Sequence, residues 1–218
     1  MDLGSTTWTD VGAPIVVVPV GSCEQHGPHL PLHTDTTIAT ELARALAGHR
    51  ADCIVGPPIT VSASGEHAGF PGTLSIGTSV MTDVVVELAR SADWSGGVVF
   101  VNGHGGNHVA MQRASEVFER ESRRVLIWWP NLPRADPHAG RTETSLMLAL
   151  APNEVRSERS GSGPVPTLSE LVQHGVKALS PNGVLGDPTG ADAGEGAELF
   201  EQLVGQLCAA VAVWADSP

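Results

Sequence analysis

Two short runs, IVVVPV at residues 15–20 and GVVFVN at residues 97–102, constrain this chain more than any other feature. A strand with one wet face alternates apolar and polar side chains. These runs do not alternate, so both of their faces need cover, which is the condition of a parallel sheet packed between helices. Shorter apolar segments at 53–55 and 125–129 read the same way. The intervening stretches carry helical spacing. In 36–47, Ile38, Ala39, Leu42, Ala43 and Leu46 recur at intervals of three and four, with Thr34 or Asp35 expected as the N-cap. Residues 78–92 present Val84, Val85, Leu88 and Ala89, and 107–121 form a third helical stretch. Alternating strands and helices imply right-handed crossovers and an α/β domain.

Beyond the fourth strand the pattern loosens into a Pro-rich loop at 130–140, a helix at 142–150, a Ser/Gly/Pro segment at 157–166 and a short helix at 168–174. A covering helix at 195–214 places Leu199, Phe200, Leu203, Leu207 and Val211 on one side. No repeat or long linker interrupts the 218 residues, so a single domain over 1–218 is expected.

The charge balance excludes several classes of function. Twelve Lys+Arg against 24 Asp+Glu give a net charge of −12, and Lys177 is the only lysine, so a phosphate-backbone binder with a basic face is not expected. No GxxxxGK[ST] motif occurs, and without tyrosine no phenol can act as acid or nucleophile. Cys23, Cys53 and Cys208 are odd in number and include no CxxC pair, which fits a reducing compartment. No Lys or Arg precedes Arg44, and the run at 15–20 is too short to span a bilayer. A soluble, cytoplasmic protein with neither nucleic-acid nor membrane partner is the expectation.

The chemistry concentrates in three loops, each placed just after an expected strand. The first, GSCEQHGPHLPLHTD at 21–35, puts Glu24 and His26 two residues apart, so an extended backbone aims both to one side, and Asp35 at the helix start can converge on them. The second, NGHGGNH at 102–108, brings His104 with glycines that admit close backbone approach. The third, DPHAGRTETS at 136–145, carries His138 and Glu143. Ligands in open parallel sheets bind beyond the carboxyl ends of strands, so the three loops face one crevice. Carboxylate and imidazole donors suit Zn²⁺, Mn²⁺ or Fe²⁺. A second reading makes Cys23 the nucleophile of a cysteine amidase, although the alternation that turns Glu24 and His26 inward turns Cys23 away.

The motifs GSxEQHGPHLPLxTD, GEHxxFPGTLSIG from Gly65, NGHGGN and HAGxTETS resemble those of the creatininase family from the first strand to the last helix. The resemblance implies a three-layer α/β/α sandwich with a mostly parallel sheet, two divalent metal ions per chain, and a homo-oligomer, a hexamer among the implied forms. It implies that one ion takes Glu24 and His104 and the other His26 and Glu143, with Asp35 bridging. In creatininase itself a glutamate stands two residues after the histidine of the Asn-Gly-His motif. Here that position is Gly106, and Glu143 is read as the replacement ligand. Two cations sharing a carboxylate activate water and stabilise developing oxygen charge, so hydrolysis of a C–N amide bond is the implied reaction. His138 is the first candidate for the proton donor to the leaving nitrogen, with an orienting or packing role as its alternative. Glu143 is counted with it in the catalytic set. Ser64, Glu66, His67, Gly105 and Gly106 are expected to line the substrate crevice. The DPHAGxTETS stretch at 136–145, together with GVLGDPT at 183–189, is most similar to a peptide-trimming branch of the family, which implies a modified precursor peptide as substrate. A small cyclic amide or formamide is the alternative.

Overall fold

The computed structural model describes residues 1–133 and 135–216. Four strands, β1 (Ile15–Val20), β2 (Cys53–Val55), β3 (Gly97–Asn102) and β4 (Val125–Trp128), form one parallel sheet in the order β2-β1-β3-β4. β1 and β3 run in register from Ile15 opposite Gly97 to Val20 opposite Asn102. Every residue of both strands is buried, as their lack of alternation requires.

Two helical layers supply the cover. On one face, Ile15 and Val17 of β1 pack with α1 (Thr34–His49), α4 (Arg141–Leu150) and α6 (Ala193–Ala215) through Leu42, Leu46, Leu146, Met147, Leu203 and Leu207. On the other, Val16, Val18 and Phe100 meet α2 (Gly77–Ser91) and α3 (His108–Arg120) through Met81, Val85, Met111 and Phe118. The result is an α/β/α sandwich. α5 (Leu168–Leu179) lies outside both core clusters, with Leu168 and Val172 largely exposed.

Several local expectations shift. α1 begins at Thr34, ahead of the stretch from residue 36 that its apolar spacing shows: His33 holds the N-cap position without a side-chain capping bond, and Asp35 lies inside the first turn. The buried stripe of α2 is Met81, Val85, Val86 and Ala89, while Leu88 is 39 % exposed. The short helix expected at 168–174 is seen, and Gly175, with φ at +70°, kinks the chain before a final turn to Leu179. α6 is, among the described helices, the one long and apolar enough to cross a membrane, but its Leu203, Val204, Leu207 and Val211 stripe is buried against the core.

The strand order reverses between β1, whose neighbour β2 follows it on one side, and β3 on the other. The crossovers leaving these two strands depart to opposite faces, and the crevice between their carboxyl ends is where ligands gather in such sheets. Two glycines let the start of α1 press into that crevice. A Cβ at Gly21 would lie 2.3 Å from Thr36 Oγ1, and one at Gly103 would lie 2.9 Å from the Asp35 carbonyl oxygen. Asp35 is thereby delivered between the loops that follow β1 and β3.

Candidate metal centre

Glu24, His26, Asp35, His104 and Glu143 come together beyond the carboxyl ends of β1 and β3. Glu24 and His26 have no exposure at all, Asp35 and His104 are buried, and Glu143 reaches inward from the first turn of α4. Donor atoms of Glu24, Asp35 and His104 lie within 4.8 Å of one another, as do those of His26, Asp35 and Glu143, so Asp35 belongs to both groups. Its two oxygens divide the work: Oδ1 is 3.0 Å from His26 Nε2, and Oδ2 is 3.0 Å from His104 Nδ1. Ser22 donates its hydroxyl to Oδ2 at 2.9 Å, fixing the carboxylate plane.

The backbone sets the imidazole tautomers. His26 Nδ1 lies 3.1 Å from the Glu24 carbonyl, His104 Nε2 is 2.9 Å from the Ala63 carbonyl, and His138 Nε2 is 2.7 Å from the Gln25 carbonyl. A ring nitrogen facing a carbonyl must carry the proton, so each ring turns its other nitrogen, the one with a free lone pair in the neutral form, into the centre. His67 is set the other way. Gln25 gives one amide N–H to the Gly183 carbonyl and the other to His67 Nδ1 at 2.9 Å, which leaves the His67 proton on Nε2, aimed at Glu24 Oε1 3.4 Å away. In their neutral forms three rings thus present acceptors and one presents a donor.

Burial alone would neutralise these groups, and the partners decide which way each one goes. Burial disfavours the His26 imidazolium, but the Asp35 carboxylate outweighs it and holds the ring at about 10. Against the same burial, Glu24 and Asp35 raise His104 well above its ordinary value, and His26 and His104 hold Asp35 well below its own. His138 and His67, desolvated and facing other imidazoles, move down, His67 to about 4. Burial lifts Glu143 to about 7, against the pull of His26 and an N–H donated by Ala139 at 2.5 Å.

This donor set fits divalent cations. Both Glu24 oxygens are fully buried with no hydrogen-bond partner, although imidazole nitrogens of His104, His67 and His138 stand 3.2, 3.4 and 3.8 Å from Oε1. A buried carboxylate left in that state is costly unless something positive sits beside it. Two full groups of carboxylate and imidazole ligands sharing one aspartate provide the place.

Of the other expected site residues, Glu66, His67, Gly105 and Gly106 line a cleft of about 460 Å³ that opens from the centre, with His138 and Glu143 at its floor. Ser64 departs from its expected place: fully buried behind the His104 ring, 3.4 Å from Nε2, it is off the cleft wall and its hydroxyl faces that imidazole. Cys23 turns away to the Gly72 carbonyl and does not line the cleft. Asn102 and Asn107 brace the glycine loop, Asn102 donating to the His104 carbonyl and Asn107 to the Asn102 side chain.

Three features escape a reading of the residues alone. Gln25, facing away from Glu24 and His26 by alternation, ties His67 and the Gly183 loop through its side-chain amide and His138 through its backbone carbonyl. Ala139, at φ +52°, adopts a conformation unusual for a residue with a β-carbon and so turns its N–H to Glu143. An apolar wall of Val109, Leu168, Leu171, Val172 and Leu185 borders the cleft. Only the exposed apolar stripe of 168–172 hints at it in the sequence.

Known proteins agree with this architecture. The family model for creatininase, creatinine amidohydrolase, matches residues 5–211. The mycofactocin precursor peptide peptidase of Mycobacterium tuberculosis (strain CDC 1551 / Oshkosh) is 46% identical over all of this chain and 93% of its own length. Among solved structures, a mutant creatininase of Zn-Zn type superposes with a TM-score of 0.82 at 23% identity, covering 99% of this chain and 98% of the other. A creatininase with Mn gives 0.80 at 24% identity over 99% and 98%. With the match running almost from end to end, the chain belongs to the creatininase family.

Proposed function

We propose that this protein is a metal-dependent peptidase that cuts the modified mycofactocin precursor peptide near its carboxy terminus, releasing the Val-Tyr-derived unit. The observation that carries the chemistry is the orphaned Glu24 carboxylate set among inward-facing imidazoles, with Asp35 shared by two ligand groups. The relatives named as peptidases of that peptide, matched over the full chain, support the substrate.

Glu24 and His104 would hold one cation and His26 and Glu143 the other, with Asp35 common to both; zinc, manganese and iron all suit these donors. Such ions supply Lewis acidity toward an amide carbonyl and toward water. The chain's own groups do the rest. His67, its Nε2 proton kept in place by Gln25, is aimed to donate to a carbonyl oxygen entering over Glu24. His138 Nδ1 is unprotonated at rest and faces the cleft, so it can take a proton released during attack and hand it to the leaving nitrogen, which departs poorly as an anion. Gly105, with open space where a side chain would stand, leaves the cleft wall accessible to a peptide backbone, and the α5 wall offers apolar contact to side chains beside the scissile bond. The working form in this proposal is a cytoplasmic homo-oligomer.

Incubation of the metal-loaded protein with the modified peptide, followed by mass spectrometry, tests the proposal. Release of the carboxy-terminal unit by wild type and by Cys23→Ser alike is the expected result. Intact peptide at stoichiometric protein overturns the peptidase reading, and retention of activity only on a cyclic amide or formamide would move the substrate elsewhere in the family.

A further inference from the structure

The cleft contains a fourth carboxylate that the ligand set above leaves unused. Glu66 stands on the short turn Gly65–His67, adjacent in sequence to His67 and remote from both strand-end loops that carry the other donors. Its side chain is 25% exposed, on the cleft wall, and folds inward over the glycine loop after β3. A carboxylate oxygen of Glu66, one of Glu24 and a ring nitrogen of His67 all lie within 4.8 Å of one another. Its ionic contact, His104 Nε2 at 3.7 Å, has a proton already committed to the Ala63 carbonyl at 2.9 Å. Glu66 therefore approaches the orphaned Glu24 without a strong protein partner of its own, and two carboxylates brought together in a desolvated cleft repel unless a cation lies between them.

The glycine loop is shaped to admit this side chain. A Cβ on residue 106 would fall 2.0 Å from Glu66 Oε1, 2.4 Å from His104 Nε2 and 2.5 Å from the Ala63 carbonyl. The Glu66 carboxylate thus fills the space that any side chain at position 106 would claim. By contrast, a Cβ at the adjacent Gly105 meets nothing within 4 Å, so small size is needed at one of the two and not at the other.

We propose that Glu66 is a further metal ligand, supplying an oxygen to the cation carried by Glu24; the Cβ-free position 106, where any side chain would press on Glu66, the His104 ring and the Ala63 carbonyl together, leaves it room to do so. The proposal rests on the reading of this centre as a cation site, and its test separates the two. Wild type, Glu66→Gln and Glu66→Asp are loaded with Co²⁺ and Zn²⁺, and metal stoichiometry, chelator competition and the Co²⁺ absorption spectrum are measured without peptide. In the expected result wild type binds two ions, and Glu66→Gln holds one of them at least about tenfold more weakly, the loss that even an outer partner of a ligand gives on removal. The Co²⁺ spectrum of Glu66→Gln changes, and Glu66→Asp recovers part of the affinity. Glu66→Gln with wild-type chelator midpoints and an unaltered spectrum overturns the proposal, even if turnover falls, since Glu66 would then act on substrate. A wild-type protein that takes up no metal fails the centre as a whole, and that outcome is distinct from failure of Glu66 alone.

Discussion

Each end of β3 carries a knot of charges, and the two knots are built on opposite terms. At the amino end, Arg90 donates to Glu87 and Glu121, and Arg123 donates to Glu121 and Asp93, all in contact with water. At the carboxyl end, the buried Glu24 and Asp35 and the half-buried Glu143 meet the buried His26 and His104. The exposed knot uses permanently charged guanidinium groups whose pairing is screened and replaceable. The buried knot uses imidazoles, whose protons on His26 Nε2 and His104 Nδ1 stand where cations would neutralise the carboxylates. A fold that needed only stability would replace such a buried set with apolar side chains at little cost. Stability alone therefore does not account for the buried set.

The comparison breaks most sharply at Asp35, which both ligand groups share. Asp35→Ala is expected to remove both ions and to lower peptide turnover by about 10³-fold or more, the scale of losing a principal electrostatic stabiliser; metal analysis alongside turnover checks it. Loss of only one ion would show that Asp35 does not bridge. Glu24→Gln sharpens the contrast from the side of stability. It should reduce turnover by at least about 100-fold and destabilise the metal-free protein by on the order of a few kcal/mol, because the neutral amide no longer offsets the buried His104 imidazolium 3.2 Å from Oε1. Urea titration of the metal-free variant measures this, and unchanged or increased stability would mean that the Glu24–His104 pairing is worth nothing to the metal-free fold.

Protons and cations compete for the same nitrogens, which gives the buried end a pH signature. His26 is raised from 6.5 to about 10, so the stability its pairing with Asp35 lends to the metal-free protein is complete below about 6.5 and is lost as pH rises through about 10. Metal affinity runs the other way: the ligands must shed those protons, so it climbs over the same interval. Calorimetry in buffers of different ionisation enthalpy should detect proton release on metal binding. The exposed knot at the amino end should show no such linkage.

How far the site was legible follows the same division. Glu24, His26, Asp35, His104 and Glu143 stand out because each sits just past a buried run or at a helix start, and strand-end position converts sequence order into spatial convergence. What escaped depends on loops packing on loops. Gln25 reads as an outward-facing residue until the Gly183 loop folds over it, and Ala139 shows no mark in the sequence of its positive φ. The close fit of Glu66 over Gly106 joins residues forty positions apart through backbone shape alone. The phase of α2 was misjudged at Leu88 because a run of valines offers several equivalent apolar stripes, and only the neighbouring α3 selects among them.

The smallest effect is expected at Glu121, and it is the control for the whole contrast. Its carboxyl is held down to about 2 by bonds from Arg90 and Arg123, against an ordinary 4.5. Its contribution is therefore present above about 4.5 and lost as pH falls through about 2, well below the range in which His26 titrates. The group is open to solvent, so salt screens it and the long arginine side chains lose freedom in holding it. Glu121→Ala should leave metal content and turnover at wild-type values and shift the thermal midpoint at neutral pH by little more than experimental error, less still in high salt. A large loss of activity in this variant would mean that the two ends of β3 communicate through the strand, and the separation between a structural and a working cluster of charges would no longer hold.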